Sequence, residues 1–190
     1  MLTGHRLLKK FLGKVARKIF DKHYPDSSEQ DVKFGIVAQV LRLLGWPVDR
    51  SWEHSAEVSF EYRDLDVLLR VGRKARLVIE TKRMSNWMET SKLAIEKAKA
   101  RQVGSPYLLR TDGLHWHLYD LRRARGKLVW DKNLDLLRDP DDQMRDELSD
   151  DEYPEYERFL RSDVLPMRVA ELVDDLARFA RRRFAKRRTA

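Results

Sequence analysis

Apolar positions recur at helical spacing at both ends of this chain and at strand spacing through its middle. Leu8, Phe11, Leu12, Val15 and Ile19 alternate with Lys9, Lys10, Lys14, Arg17 and Lys18, which predicts a basic amphipathic helix over 5–21. Phe34, Val37, Ala38, Leu41 and Leu44 form a second stripe and predict a helix over 28–44. Ser27 or Ser28 is its cap, Glu29, Gln30 and Asp31 fill its first turn, Gly45 ends it, and Pro47 follows. The segments 56–62, 64–71 and 76–82 then read as strands, with Gly72-Arg73-Lys74 as a hairpin turn between the last two. The third is nearly continuous in apolar residues, the pattern of a strand covered on both faces.

Asn86 with Glu89 resembles a capping box opening a helix over about 87–102. Strands follow at 105–110, 114–121 and 127–130, joined by turns at Thr111-Asp112-Gly113 and around Gly126. The stretch 135–155 is acidic and turn-rich. Leu165, Val169, Leu172, Val173, Leu176 and Phe179 predict a last helix over 163–183, with Pro166 in its first turn. This order predicts an α/β fold: a central mixed sheet flanked by helices, with extra N- and C-terminal helices. It divides the chain into a basic helix (1–24), a core (25–138) and an acidic linker with a basic C-terminal helix (139–190).

Composition narrows the classes. With 190 residues, 42% of them hydrophobic, the chain can bury a core. It has no cysteine, which excludes disulfides and thiolate metal sites and fits a reducing, cytoplasmic compartment. The basic first helix carries charges through its apolar positions, unlike a secretory signal, and no apolar run is long enough for a bilayer, so no membrane partner is expected. The net charge is +8 and the pI near 9.7. That balance favours polyanions such as DNA, RNA or an anionic membrane, but many soluble proteins are as basic, so by itself it points to nucleic acid no more than to no such partner.

The informative chemistry is Asp66 with Glu80-Thr81-Lys82. A three-residue loop at Gly72 to Lys74 would pair positions so that Asp66 faces Glu80 across the hairpin, with Cβ atoms about 5 Å apart. Lys82, two residues on, would point to the same face as Glu80. Two adjacent carboxylates resist burial unless a cation lies between them. Mg²⁺ takes one or two carboxylates plus waters and phosphate oxygens, with Mn²⁺ as a substitute. A metal held there lowers the pKa of a bound water, and a neighbouring lysine orients that water or steadies the developing charge. The competing reading is a solvated strand end, since acid–lysine pairs are common in charged proteins.

From Glu29 to about Asp120 the chain resembles the N-terminal nuclease domain of type I restriction enzyme R subunits, within the PD-(D/E)xK superfamily. The stretch SEQDVKFGIVAQVLRLLGW is similar to that family's opening helix, with an acid, a basic residue four later, and a closing Leu-Gly-Trp. The strand DLDVLL is similar to the one carrying the first metal-binding acid, LVIETKR to the E-x-K strand, and GSPYLLRTDGLHWHLYD to the strands that follow. The resemblance implies a restriction-endonuclease-like fold and a Mg²⁺-dependent deoxyribonuclease. It makes Asp66 and Glu80 metal ligands, Lys82 the catalytic lysine, and Glu29 an acid near the metal. Glu29 reads equally well as a first-turn residue facing the helix dipole. Asp64 is an alternative to Asp66.

The helix after E-x-K departs from that family, which often carries Gln and Tyr there: it offers Lys92, Lys97, Lys99 and Arg101, with Gln102 only at its end, and no residue of it is assigned a role. The chain also lacks a P-loop and the length for a motor domain, so it would act alone, as a homodimer, or beside a motor or specificity subunit. His115 and His117 alternate about Trp116, which reads as a half-exposed strand face more readily than as a metal site. The basic ends suggest contacts to the DNA backbone without sequence reading. A catalytically inert nucleic-acid-binding or interaction subunit is the alternative to a nuclease.

Overall fold

The computed structural model describes residues 2–21, 28–48, 58–83, 90–138 and 147–184. The capping box expected at Asn86 and Glu89 lies outside them, as do residues 139–146 of the acidic stretch and the end of the basic tail. The chain forms two compact units, 23–133 and 1–22 with 134–190.

The first unit is a mixed α/β layer structure built on a six-stranded, mostly antiparallel open sheet. Its opening helix, α2, runs as a π-helical segment Asp31–Val37 and continues as α-helix Ala38–Leu43; α1 (Leu2–Phe20) belongs to the second unit. Ser28 and Asp31 cap its start reciprocally. Ser28 Oγ accepts the Asp31 amide at 3.1 Å, and Asp31 Oδ2 accepts the Ser28 amide at 3.1 Å and its hydroxyl at 2.7 Å. Gly45, at φ +82°, ends the helix.

The strands are β1 (Val58–Tyr62), β2 (Leu65–Val71), β3 (Lys74–Thr81), β4 (Tyr107–Thr111), β5 (His115–Asp120) and β6 (Lys127–Asn133). They lie in sequence order, with β3 and β4 parallel and the other neighbours antiparallel. The parallel step is the crossover through α3 (Leu93–Gln102). One face of the sheet packs Leu68, Val78, Leu108 and Tyr119 under Ala100 of α3. On the other face Phe34 of α2 meets Phe60 of β1, ring centroids 5.3 Å apart.

The β2–β3 hairpin reaches the expected register by another route. Its turn has two residues, Gly72 and Arg73, not three, since Val71 pairs with Lys74. The register then shifts between Leu69 and Arg70, because β3 carries Arg76 as an extra, bulged residue. Beyond the bulge Leu69 pairs with Leu77, Leu68 with Val78 and Val67 with Ile79, as a three-residue loop would have arranged. Asp64 is not on a strand. It shares the β1–β2 turn with Arg63, both at positive φ (62° and 51°), so it is no substitute for Asp66.

The β4–β5 turn is tight. Asp112 Oδ1 accepts the amides of Leu114 at 2.9 Å and His115 at 2.7 Å. Gly113, at φ +94°, rests against α2, where an added Cβ would stand 2.6 Å from Ile36 Cδ1.

The second unit is helical. It holds α1 (Leu2–Phe20), a 3₁₀ turn at Leu136–Arg138, and a long helical run made of α4 (Tyr153–Phe159), a π-helical stretch Leu160–Val164 and α5 (Leu165–Phe184). Helix therefore begins ten residues before the expected 163, and Pro166 sits inside the run, not in a first turn. The π-helical stretch lies immediately ahead of that proline, where a straight α-helix would lose a backbone bond and meet the ring. Leu165, Val169, Leu172 and Leu176 are buried on α5 and Phe11, Val15 and Ile19 on α1, as the apolar stripes predict. Among the described residues no helix is long and apolar enough to cross a membrane.

Candidate active site at the open end of the central hairpin

Past Val67 and Ile79 the β2–β3 ladder opens, so Asp66 and Glu80 are not a laddered pair. Each uses the gap differently. Asp66 Oδ2 accepts the Thr81 amide at 2.6 Å and the Thr81 hydroxyl at 2.7 Å, bridging the two strands. Its other oxygen, Oδ1, meets the Lys33 ammonium at 2.8 Å. The Glu80 Oε1 is buried with no hydrogen-bond partner.

Lys33 comes from α2 and is only 3% exposed. The wider π-helical turn groups it with Val32, Ile36 and Val37 on the buried side. Its ammonium also stands 3.4 Å from Glu61 Oε1, which Gln30 Nε2 reaches at 2.9 Å. Those contacts, the Gln30 hydrogen bond first and the Lys33 charge next, hold the Glu61 carboxyl below its ordinary range. Glu61 adopts a left-handed backbone at φ 53°, a costly conformation for a non-glycine residue, next to these carboxylates.

Lys82 leans away from the carboxylate gap. Its Nζ is 2.9 Å from Glu96 Oε1 on α3 and 3.9 Å from Glu80 Oε2. Glu96 is 5% exposed, and its second oxygen meets Arg110 Nε of β4 at 3.3 Å. Burial by itself would lower the pKa of the Lys82 ammonium; the bond and charge of Glu96, then Glu80 and Glu29, outweigh it and raise it. Glu29 is exposed and acts on Lys82 through charge, so it belongs to the neighbourhood of the site.

Glu80 carries the most displaced carboxyl. Burial foremost, and then the charge of Asp66, push its pKa up to about 7, against the pull of Lys82. From Glu80 an ionisable row crosses the sheet. Glu80 is the partner of Arg110, Arg110 of His117, and His117 of Asp131. His117 and His115 are both half-buried on β5; His115 Nδ1 lies 3.0 Å from Asp112 Oδ2, and burial lowers the His117 pKa.

Of the residues named from the sequence, Asp66, Glu80 and Lys82 are brought to one end of the sheet and Glu29 to its margin. Lys33, noted from the sequence only as the basic residue four after Glu29, joins them, as do Glu96 and Arg110, which were not singled out. Each had a signal: Lys33 sits inside an apolar stripe, Glu96 lies between Leu93 and Ala100 at helical spacing, and Arg110 is the last residue but one of a strand buried at every position. Asp66 and Glu80 are two candidate oxygen ligands; among the described residues no group of three or more His, Cys, Asp or Glu is placed to hold a metal. A pair suffices for Mg²⁺, which keeps several waters. The orphaned Glu80 Oε1 fits such an ion, and Asp66 would have to share Oδ1 with Lys33. No family model, curated protein or solved structure matches this chain.

Proposed function

We propose that this protein is a restriction-endonuclease-like, metal-dependent nuclease that hydrolyses phosphodiester bonds in DNA. The observation that carries the reading is Glu80: a buried carboxyl with an unpartnered oxygen and a pKa near 7, beside a second carboxylate and a lysine. Buried carboxylates ordinarily have a partner, and sites that shift a pKa this far are concentrated where chemistry is done. In this reading Asp66 and Glu80 would hold Mg²⁺, or Mn²⁺ in its place. The ion would supply an activated water and charge neutralisation at the phosphate. Thr81 orients Asp66 through its amide and hydroxyl. Glu96 and Arg110 fix the reach of Lys82, whose ammonium would steady the developing charge or orient the attacking water. Glu29 would tune the Lys82 charge from the margin. The net charge of +8 supports a polyanionic substrate.

A second reading is a nucleic-acid-binding or interaction subunit without catalysis. Lys33 favours it, because an internal ammonium already occupies one oxygen of Asp66. Calorimetric titration with Mg²⁺ and Mn²⁺ separates the two. A binding isotherm in the wild type that disappears in Asp66→Asn and Glu80→Gln supports the nuclease. Salt-sensitive DNA binding with no metal isotherm supports the inert module.

A further inference from the structure

The end of β3 remote from Glu80 carries a second feature. Arg73, Lys74 and Arg76 line an open pocket of about 390 Å³ together with Val103, Gly104 and Pro106. Straight alternation would send consecutive residues of a strand to opposite faces. Here the two-residue turn and the bulge at Arg76 let 73 through 76 line the same pocket. Among the described residues no carboxylate lines it, and the Arg76 Nε is buried with no hydrogen-bond partner. Gly104, at φ +75°, leaves open space where a side chain would otherwise project.

A structural role explains part of this. The pocket borders the C-terminus of α3, where the helix dipole favours a cation. One cation suffices for a helix end; three, drawn together by an irregular strand and unmatched by any acid among the described lining residues, exceed what the dipole balances. Guanidinium groups present forked donors that match phosphate oxygens, and a lysine adds a point charge. We propose that this pocket is a phosphate-binding site, distinct from the carboxylate pair. Where the protein acts on nucleic acid, a backbone phosphate is its occupant, so in that respect the inference rests on the proposed function. Lys74 and Glu80 are six positions apart on β3, about 20 Å at strand rise. That span corresponds to roughly six steps of B-form duplex. One bound duplex would thus place a phosphate in the pocket and another at the carboxylates.

The test uses the full chain in EDTA, so that binding is read without cleavage. Arg73→Gln/Arg76→Gln is compared with Lys127→Gln/Arg158→Gln, which removes the same charge from exposed positions elsewhere. A labelled 20-base-pair duplex is followed by anisotropy across a salt series. The pocket variant should bind at least 10-fold more weakly, with a shallower dependence on salt, while the control changes less than 3-fold. Inorganic phosphate should raise the melting temperature of the wild type above that in chloride of equal ionic strength, and not that of the pocket variant. Arg73→Gln alone, at the exposed turn, repeats the comparison should the double variant fold poorly.

Equal losses of duplex binding in pocket variant and control, with no phosphate effect on melting, overturn the site. Phosphate stabilisation lost in the pocket variant, in a protein that binds no duplex, sustains the pocket and removes the nucleic-acid reading. Unchanged duplex and phosphate binding in the pocket variant, with metal-dependent cleavage intact, removes the pocket and leaves the nuclease.

Discussion

The Lys33 ammonium and the Asp66 carboxylate form an ion pair at 2.8 Å, the lysine side chain 4% exposed and the aspartate 18%. It ties α2 to the end of β2 and places a positive charge beside the carboxylate gap. Asp66 keeps two bonds from Thr81 when the lysine is removed, so its loss costs less than the 3–5 kcal/mol of a fully buried pair. Lys33→Met should destabilise the protein by roughly 1–3 kcal/mol in denaturant unfolding. In a double-mutant cycle with Asp66→Asn the two effects should couple by about 1 kcal/mol or more. Additive effects would show that the pair is not formed.

Glu80 gives a pH dependence of definite sign. Its folded pKa, about 7, lies above the ordinary glutamate value of 4.5, so between the two the folded state holds a proton that the unfolded state has released. The stability this contributes is complete below about 4.5 and is lost as the pH rises through about 7. Glu80→Gln, which imitates the protonated form, should match the wild type at pH 4.5 and exceed it at pH 8 by roughly 1–3 kcal/mol. Unfolding curves at the two pH values check this; an equal difference at both would contradict it.

Glu96 holds Lys82 at 2.9 Å, so it is a positioning residue for that ammonium. Glu96→Gln keeps the shape and removes the charge. DNA cleavage should fall by about 10- to 100-fold in kcat, with KM nearly unchanged, because the lysine is misplaced and substrate contacts are not. A large rise in KM with kcat preserved would place Glu96 in substrate binding.

Gly113 packs a turn against α2. Gly113→Ala brings a methyl group 2.6 Å from Ile36 Cδ1 at a φ of +94° and should cost about 1–3 kcal/mol. Ile36→Val removes that carbon, so Gly113→Ala should cost less in the Ile36→Val background. Thermal melts of the four proteins measure the difference; an equal cost in both backgrounds would mean that the turn does not rest on Ile36.

The strands and helices were legible because their apolar periods are strong. The hairpin register emerged correctly although its turn is shorter than expected, since the bulge at Arg76 adds back the residue that the turn lacks. A bulge leaves no mark in an apolar pattern, and so the gathering of Arg73, Lys74 and Arg76 was hidden. Asp66, Glu80 and Lys82 were visible as charges at the ends of apolar runs. Their partners were not, because Lys33, Glu96 and Arg110 reach the site with long side chains from α2, α3 and β4, and sequence spacing within one element does not encode such contacts. The helical run from Tyr153 was obscured by its acidic composition and by Pro166, which reads as a start when it lies inside.

The most direct measurement is cleavage of plasmid and linear DNA by the purified protein in Mg²⁺ and in EDTA, beside Lys82→Ala. If Asp66 and Glu80 hold a metal and Lys82 serves the reaction, cleavage requires Mg²⁺, stops in EDTA, and falls at least 100-fold in Lys82→Ala. Cleavage by Lys82→Ala at the wild-type rate, or DNA bound and left intact by the wild type in both Mg²⁺ and Mn²⁺, would contradict the proposed nuclease.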